Sequence, residues 1–248
     1  MSLVTSHRGA TVAGAILLTG ICLAGCTGVT AVKKLTPAAA SGSATAGRAL
    51  PSGKALIDSF AARLQSGAAT PFEADYFTAG RASTRIVYAV RPPGELLFKV
   101  TPLGKGKPRT QIVVNQSGEY RCVQRGTGHV RWTCRQLSKA SAAVQHKAFD
   151  VYTAAHWAAF LKTFVPAAGA KVTTFTTSLN VAGLHCLDFS PPGTSGVDVI
   201  CAAAPGVLGL VTFHVTSFMI ESLDSSPPAS LFQLPPGAKV TRLKAGRK

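Results

Sequence analysis

The stretch GEYRCVQRGTGHVRWTCRQL, residues Gly118–Leu137, decides the fold of this chain. The midpoint between its two cysteines, Cys122 and Cys134, is Gly128, which lies inside the turn-forming run Arg125–His129. Residues on both sides of that run alternate in type, and alternation around a glycine-rich centre is typical of a β-hairpin. We therefore predict two antiparallel strands joined by a short turn, with the two cysteines opposite each other.

Pairing the two cysteines also assigns the other side chains to the two faces of the hairpin. Successive strand residues point to opposite faces, so the cysteine face also carries Tyr120, Val130 and Trp132. The other face carries Arg121, Arg131, Thr133 and Arg135. Arg121 then stands opposite Arg135, and like charges in that position repel each other unless they are solvated or share an anion. We expect this arginine face to be exposed.

The second pair of cysteines, Cys186 and Cys201, follows the same rule. Its midpoint falls between Gly193 and Thr194, inside the turn-rich run Ser190–Gly196. Three pairings of four cysteines are possible in principle, and the two hairpins favour Cys122 with Cys134 and Cys186 with Cys201. Each disulfide should stabilise the fold by about 3 kcal/mol. The competing interpretation, a zinc site, lacks the paired two-residue spacing of such sites.

Strand and helix signals extend outward from the first hairpin in both directions. Helical periodicity covers Ser52–Gln65 and Thr153–Phe164, and Ser141–Asp150 is a further candidate. Predicted strands precede and follow the two later helices, and we place them at Phe72–Phe77, Thr84–Val90, Leu96–Thr101, Thr110–Asn115, Gly118–Gln124, Val130–Leu137, Lys171–Ser178, Gly183–Ser190, Val197–Ala203, Val207–Phe213 and Ser217–Leu223. We predict an α+β fold: a large curved antiparallel sheet of about 11 strands, a half-barrel, with two or three helices on its concave side.

The N-terminus carries the pattern of an export signal. Arg8 supplies a positive charge and Ala10–Ile21 an apolar segment of signal-peptide length. The residues that follow, Leu23, Ala24, Gly25 and Cys26, look like a bacterial lipobox. We expect residues 1–25 to be a lipoprotein signal peptide, 26–50 the lipidated Cys26 with an Ala/Ser/Gly/Thr tether, and 51–248 one domain. An ordinary secretory signal and a membrane-spanning helix are the alternatives.

Composition narrows the range of partners. The 248 residues include 26 Lys and Arg against 10 Asp and Glu, a formal charge of +16. Such a surface favours anionic partners. We expect the protein to be lipid-anchored on the extracytoplasmic face of the cell membrane, where the available anions are phospholipid headgroups, glycolipids and wall polymers. Nucleic acid is excluded by that location. Alternatively, the charge serves only solubility.

Catalytic patterns are missing from the sequence. No two of the six histidines stand four residues apart around a glutamate, as a zinc hydrolase requires. Gly193–Gly196 lacks the spacing of a nucleophile elbow, and Asp188 and Asp198 are better explained as solvated carboxylates than as an acid-base pair. We predict a protein that is not an enzyme and that needs no cofactor and no metal.

The order of elements resembles the LolA-like lipoprotein carriers. The C-terminal run Leu231–Val240, LFQLPPGAKV, is similar to an F-x-L-P-x-G-A-x-V ending seen in many such exported proteins. The resemblance implies that acyl chains or another apolar ligand bind between the curved sheet and its helices. A different use of the same fold, similar to RseB, implies an envelope sensor that binds a protein partner. The two cysteine pairs are not part of the general family pattern.

A ligand cleft of this kind would be lined by large apolar strand residues and by the helix stripes. From the sequence we select nine candidates, which are Val87, Ala89, Leu96, Phe98, Val113, Trp157, Leu161, Phe175 and Phe213. The alternative is that these residues simply form the core.

Overall fold

The computed structural model describes residues 52–78, 83–104, 106–126, 131–167, 169–190, 192, 197–213 and 216–243. The predicted signal peptide, lipobox and tether therefore lie outside the described residues, as do the centres of both predicted cysteine hairpin turns. No helix in the described ranges is both long enough and apolar enough to cross a membrane.

Three α-helices form in the part of the chain that the structure describes, and we name them α1 (Gly53–Ser66), α2 (Lys139–Phe149) and α3 (Ala154–Ala167). Ser52 caps α1 because its side chain accepts a hydrogen bond from the Ala55 amide at 3.3 Å, and Ser138 caps α2 through Ser141 at the same distance. One face of α1 is buried, and it carries Ile57, Phe60, Ala61 and Leu64. The predicted helices at Ser52–Gln65 and Thr153–Phe164 are confirmed, and Ser141–Asp150 falls largely within α2.

The sheet has twelve strands in the order β12-β6-β5-β4-β3-β2-β1-β11-β10-β9-β8-β7. They are β1 (Phe72–Thr78), β2 (Thr84–Arg91), β3 (Glu95–Pro102), β4 (Arg109–Asn115), β5 (Gly118–Arg125), β6 (Arg131–Gln136), β7 (Lys171–Thr177), β8 (Leu184–Ser190), β9 (Asp198–Ala203), β10 (Val207–Phe213), β11 (Thr216–Asp224) and β12 (Lys239–Thr241). All neighbours pair antiparallel except β12 and β6, which pair parallel. The fold is thus α+β, with one large open sheet of mostly antiparallel strands and three α-helices.

The first strand joins two halves of this sheet. The run from β1 to β6 is a meander, and β7 to β11 is a second one. Antiparallel pairing of β1 with β11 places Tyr76 opposite Ile220 and makes the two halves continuous. Eleven of the twelve strands match the predicted segments, and β12 is an addition that the sequence interpretation left out.

Each face of the sheet is covered by a different part of the chain. The largest core cluster joins the buried faces of the three helices to alternate strand residues such as Tyr76, Tyr88 and Leu187, and we call this side the helix face. The opposite side, the outer face, is covered at β2–β4 by Phe232 and its neighbours from the C-terminal segment. The sheet is therefore apolar on both faces over much of its area.

Both disulfides lie on the outer face. Cys122 is bonded to Cys134 and Cys186 to Cys201, each pair directly opposite across two strands. All four of these bonded cysteines are buried. The first pair packs beneath Leu234 and Ala238, so the C-terminal segment covers it.

Candidate ligand cavity between the sheet and the helices

A cavity of about 370 Å³ lies on the helix face, where β1 to β4 meet the segment between α2 and α3. Strand alternation explains its lining, because every second residue of neighbouring strands reaches the same side. Its apolar lining consists mainly of Phe72, Tyr76, Tyr88, Val90, Leu96, Val114, Tyr152, Ala154, Ala155, Val207 and Leu208. Small-molecule sites typically have volumes of roughly 300 to 1,000 Å³, so this cavity has room for a small ligand or for part of a larger one.

Two glycines form one wall of the cavity. Gly67 follows the end of α1, and Gly206 lies in the turn between β9 and β10. A Cβ atom built on Gly206 would lie 2.1 Å from the Arg63 carbonyl oxygen, so the two backbones touch directly. The Ser66 hydroxyl donates to the Pro205 carbonyl at 3.0 Å and holds the same junction. The close approach of α1 to this turn thus shapes the cavity wall.

The Tyr76 side chain lines the cavity and is fully buried. Its hydroxyl has no hydrogen-bond partner among the described residues. Burial raises its pKa far above the usual range, so the group stays protonated. A buried hydroxyl without a partner is unusual and destabilising.

Tyr88 is a second phenol in the lining. Burial, with a smaller contribution from the negative charge of Asp150, raises its pKa to about 12. It is therefore neutral at physiological pH. The cavity thus offers aromatic surfaces and neutral hydroxyls and no unpaired charge of its own.

The polar residues at the rim are already engaged. Glu95 accepts a hydrogen bond from Arg91, with Nε at 2.5 Å from a carboxylate oxygen. His146 Nε2 lies 2.7 Å from the Glu119 carboxylate. These pairs hold β3 and α2 in place and leave the interior apolar. Within the described ranges, no three His, Cys, Asp or Glu side chains are grouped so that they could hold a metal ion.

The structure separates the nine predicted lining residues into three groups. Leu96 is part of the cavity lining. Phe98, Trp157, Leu161 and Phe213 belong to the core beneath the helices without lining this cavity. Phe98 instead borders a neighbouring hollow with Tyr152 and Phe218. These four residues form part of the core, which was the alternative to lining a ligand cleft.

The remaining four predicted lining residues lie on the outer face. Val87, Ala89 and Val113 pack with Phe232, and Phe175 is 42% exposed on β7, opposite Cys186. Neighbouring residues of a strand point to opposite faces of the sheet. These four side chains therefore point away from the cavity, which lies on the helix face. The cover provided by the C-terminal segment explains the apolar character of Val87, Ala89 and Val113.

Sequence reasoning missed Tyr76, Tyr88 and Tyr152, which form much of the aromatic lining. The sequence contained a signal for one of them, Tyr88. The turn after β2 pairs Val90 with Leu96 and Tyr88 with Phe98, so the selection of Leu96 implied Tyr88 and Val90 and excluded Val87 and Ala89. Tyr152, in the short turn between α2 and α3, carried no periodic signal.

Comparison with known proteins adds little to this picture. No protein-family model and no curated protein matches the chain. Among solved structures, the chain is similar to an uncharacterized conserved protein from Thermus thermophilus, with a TM-score of 0.41 and 10% identity, over 76% of this chain and 99% of that one.

Proposed function

We propose that this chain is an exported, non-catalytic lipoprotein that is anchored to the membrane through Cys26 and binds or carries a lipid or another apolar molecule. The observation that carries the proposal is the 370 Å³ cavity between sheet and helices, with its apolar and aromatic lining. The buried Tyr76 side chain adds aromatic surface to this lining. The resemblance to LolA-like carriers implies a half-barrel whose helices lie on the concave side, and that arrangement is part of the proposal.

A cavity-filling substitution tests this proposal. Leu96→Trp places a larger side chain in the lining, and we expect affinity for the neutral apolar dye N-phenyl-1-naphthylamine to fall about tenfold or more. The dye is uncharged, so its binding cannot be attributed to the basic surface. The matched control is Leu103→Trp, which adds the same fluorophore at a residue that is 57% exposed. Equal dye affinity in both variants, with unchanged melting temperatures, would contradict the proposal.

The predicted anchor has its own test. Cys26→Ala should move the protein from the membrane fraction to the soluble fraction without lowering its melting temperature, because two or more acyl chains are needed for stable anchoring. Cys22→Ala is the control, since Cys22 leaves with the signal peptide and its loss should not change the location. Release by Cys22→Ala, or retention of the Cys26→Ala protein, would overturn the assignment. Native mass spectrometry of the Cys26→Ala protein should also show co-purifying acyl lipid.

A further inference from the structure

A ladder of positive charges crosses the helix face at β5, β6 and β12. The register places Arg121 opposite Arg135, as the alternation around the cysteines predicted, and it adds Arg125 opposite Arg131. Lys239 of β12 stands beside Thr133, which shares this face. We call these five cations the arginine ladder.

The arginine ladder has no internal compensation. All four arginines are exposed, and none forms an ion pair with a carboxylate in the part of the chain that the structure describes. Glu119, two residues before Arg121 on β5, is engaged by His146 at 2.7 Å. Like charges placed directly opposite each other in a sheet are destabilising. An anion bound between the guanidinium groups would reduce this repulsion, so the arrangement favours anion binding.

Three cations of the ladder lie on the floor of a cleft of about 510 Å³ whose opposite wall is the start of α2. Arg121, Arg125 and Arg135 line it from the sheet. Ser138, Ser141 and Gln145 line it from the helix side and add neutral hydrogen-bonding groups. The N-terminal end of α2, which carries a partial positive charge, contributes to the lining through Ser138 and Ser141. Guanidinium groups and hydroxyls thus converge on one cleft, whose lining also includes Val123, Leu137 and Leu243.

We propose that this cleft binds the phosphate group of an anionic ligand. Arginine presents a planar fork of donors that matches phosphate oxygens in a bidentate manner, and the pair formed by Arg121 and Arg135 offers two such forks side by side. This site is distinct from the apolar cavity and goes beyond the function proposed above. The phosphate belongs either to a lipid headgroup or to a soluble ligand, and the cleft chemistry is the same for both.

Calorimetric titration with inorganic pyrophosphate at constant ionic strength tests the site, on Cys26→Ala protein. The variant Arg121→Gln with Arg135→Gln should lose affinity about tenfold or more, because two charge-assisted contacts disappear. The control is Arg109→Gln with Lys162→Gln, two exposed cations that do not line the cleft, which makes the same change in net charge. If both double variants lost the same affinity for pyrophosphate, or if the parent protein did not bind pyrophosphate, the cleft would not be a site for a soluble phosphate ligand.

Vesicles distinguish the two sources of phosphate. Co-sedimentation with phosphatidylglycerol vesicles, compared with phosphatidylcholine vesicles, should fall in the cleft variant and not in the control if a headgroup is the ligand. Pyrophosphate binding without selective vesicle binding assigns a soluble ligand instead. Cleft and control variants that behave alike in both assays overturn the proposal. Folding is not at issue, because removing two opposed charges should leave the melting temperature unchanged or raise it.

Discussion

Replacing Gly206 with alanine is expected to lower the free energy of unfolding by about 3 kcal/mol or more. Gly206 has φ +114°, a conformation that side-chain-bearing residues rarely adopt, and forcing it costs on the order of 1 to 3 kcal/mol. The new Cβ would also lie 2.1 Å from the Arg63 carbonyl oxygen and 2.8 Å from the Gly67 nitrogen. Both partners are backbone atoms, so relief requires α1 to move off the β9–β10 turn.

Urea denaturation of Gly206→Ala and Gly183→Ala measures this effect. Gly183 also has a positive φ, +68°, but nothing lies within 4 Å of a Cβ built there. Its substitution should therefore cost only the backbone strain, about 1 kcal/mol. The difference between the two variants isolates the steric contact. If Gly206→Ala were no more destabilising than Gly183→Ala, the direct junction between α1 and the turn would be wrong.

The same junction links stability to the cavity. Gly67 and Gly206 both line the cavity wall, and a Cβ on Gly67 would in turn lie 2.7 Å from the Gly206 carbonyl carbon. A variant that pushes the helix away changes the shape of the wall. We therefore expect any folded Gly206→Ala protein also to bind the apolar dye more weakly.

The sequence predicted local pairing well because two cysteines define a register. The turn midway between Cys122 and Cys134 predicted that these two cysteines pair across the strands, and that Arg121 pairs with Arg135. Both pairs are present in the structure. Helix α1 was equally predictable, since its apolar stripe and its Ser52 cap lie close together in the chain. These features depend on interactions over short separations or on a covalent link.

Features that depend on distant parts of the chain were not predictable. Alternation shows which residues share a face, but it does not show which face receives the helices. Val113 and Ile112 are both buried, one under Phe232 and the other in the helix-face core. Strand β12 is three residues long and pairs with β6 from about a hundred positions away. The phosphate cleft likewise needs α2 to lie against the arginine ladder, of which only the opposition of Arg121 and Arg135 is visible in the sequence.

Replacing both cysteines of either disulfide with alanine is expected to lower the free energy of unfolding by about 3 kcal/mol. The bonded residues are separated by 12 positions in one case and 15 in the other. Loop entropy varies only with the logarithm of this length, so it predicts losses that differ by about 0.2 kcal/mol. Removing the buried sulfur atoms also leaves a cavity, which lowers the free energy of unfolding further. A difference in the lost free energy larger than about 0.2 kcal/mol between the two paired variants would therefore show that the two sulfur pairs are packed unequally.

Refolding the native sequence under reducing conditions separates the two contributions. Reduced protein has lost both cross-links but keeps every sulfur atom in the outer-face clusters, where Cys122 and Cys134 pack beneath the C-terminal segment. It should therefore be more stable in urea than the variant with all four cysteines replaced by alanine, and less stable than the oxidised protein. A paired variant with the same urea midpoint as the oxidised protein would show that the cross-links do not stabilise the sheet. For the pair Cys122 and Cys134, the hydrophobic cover from Leu234 and Ala238 would then be sufficient to hold that part of the outer face together.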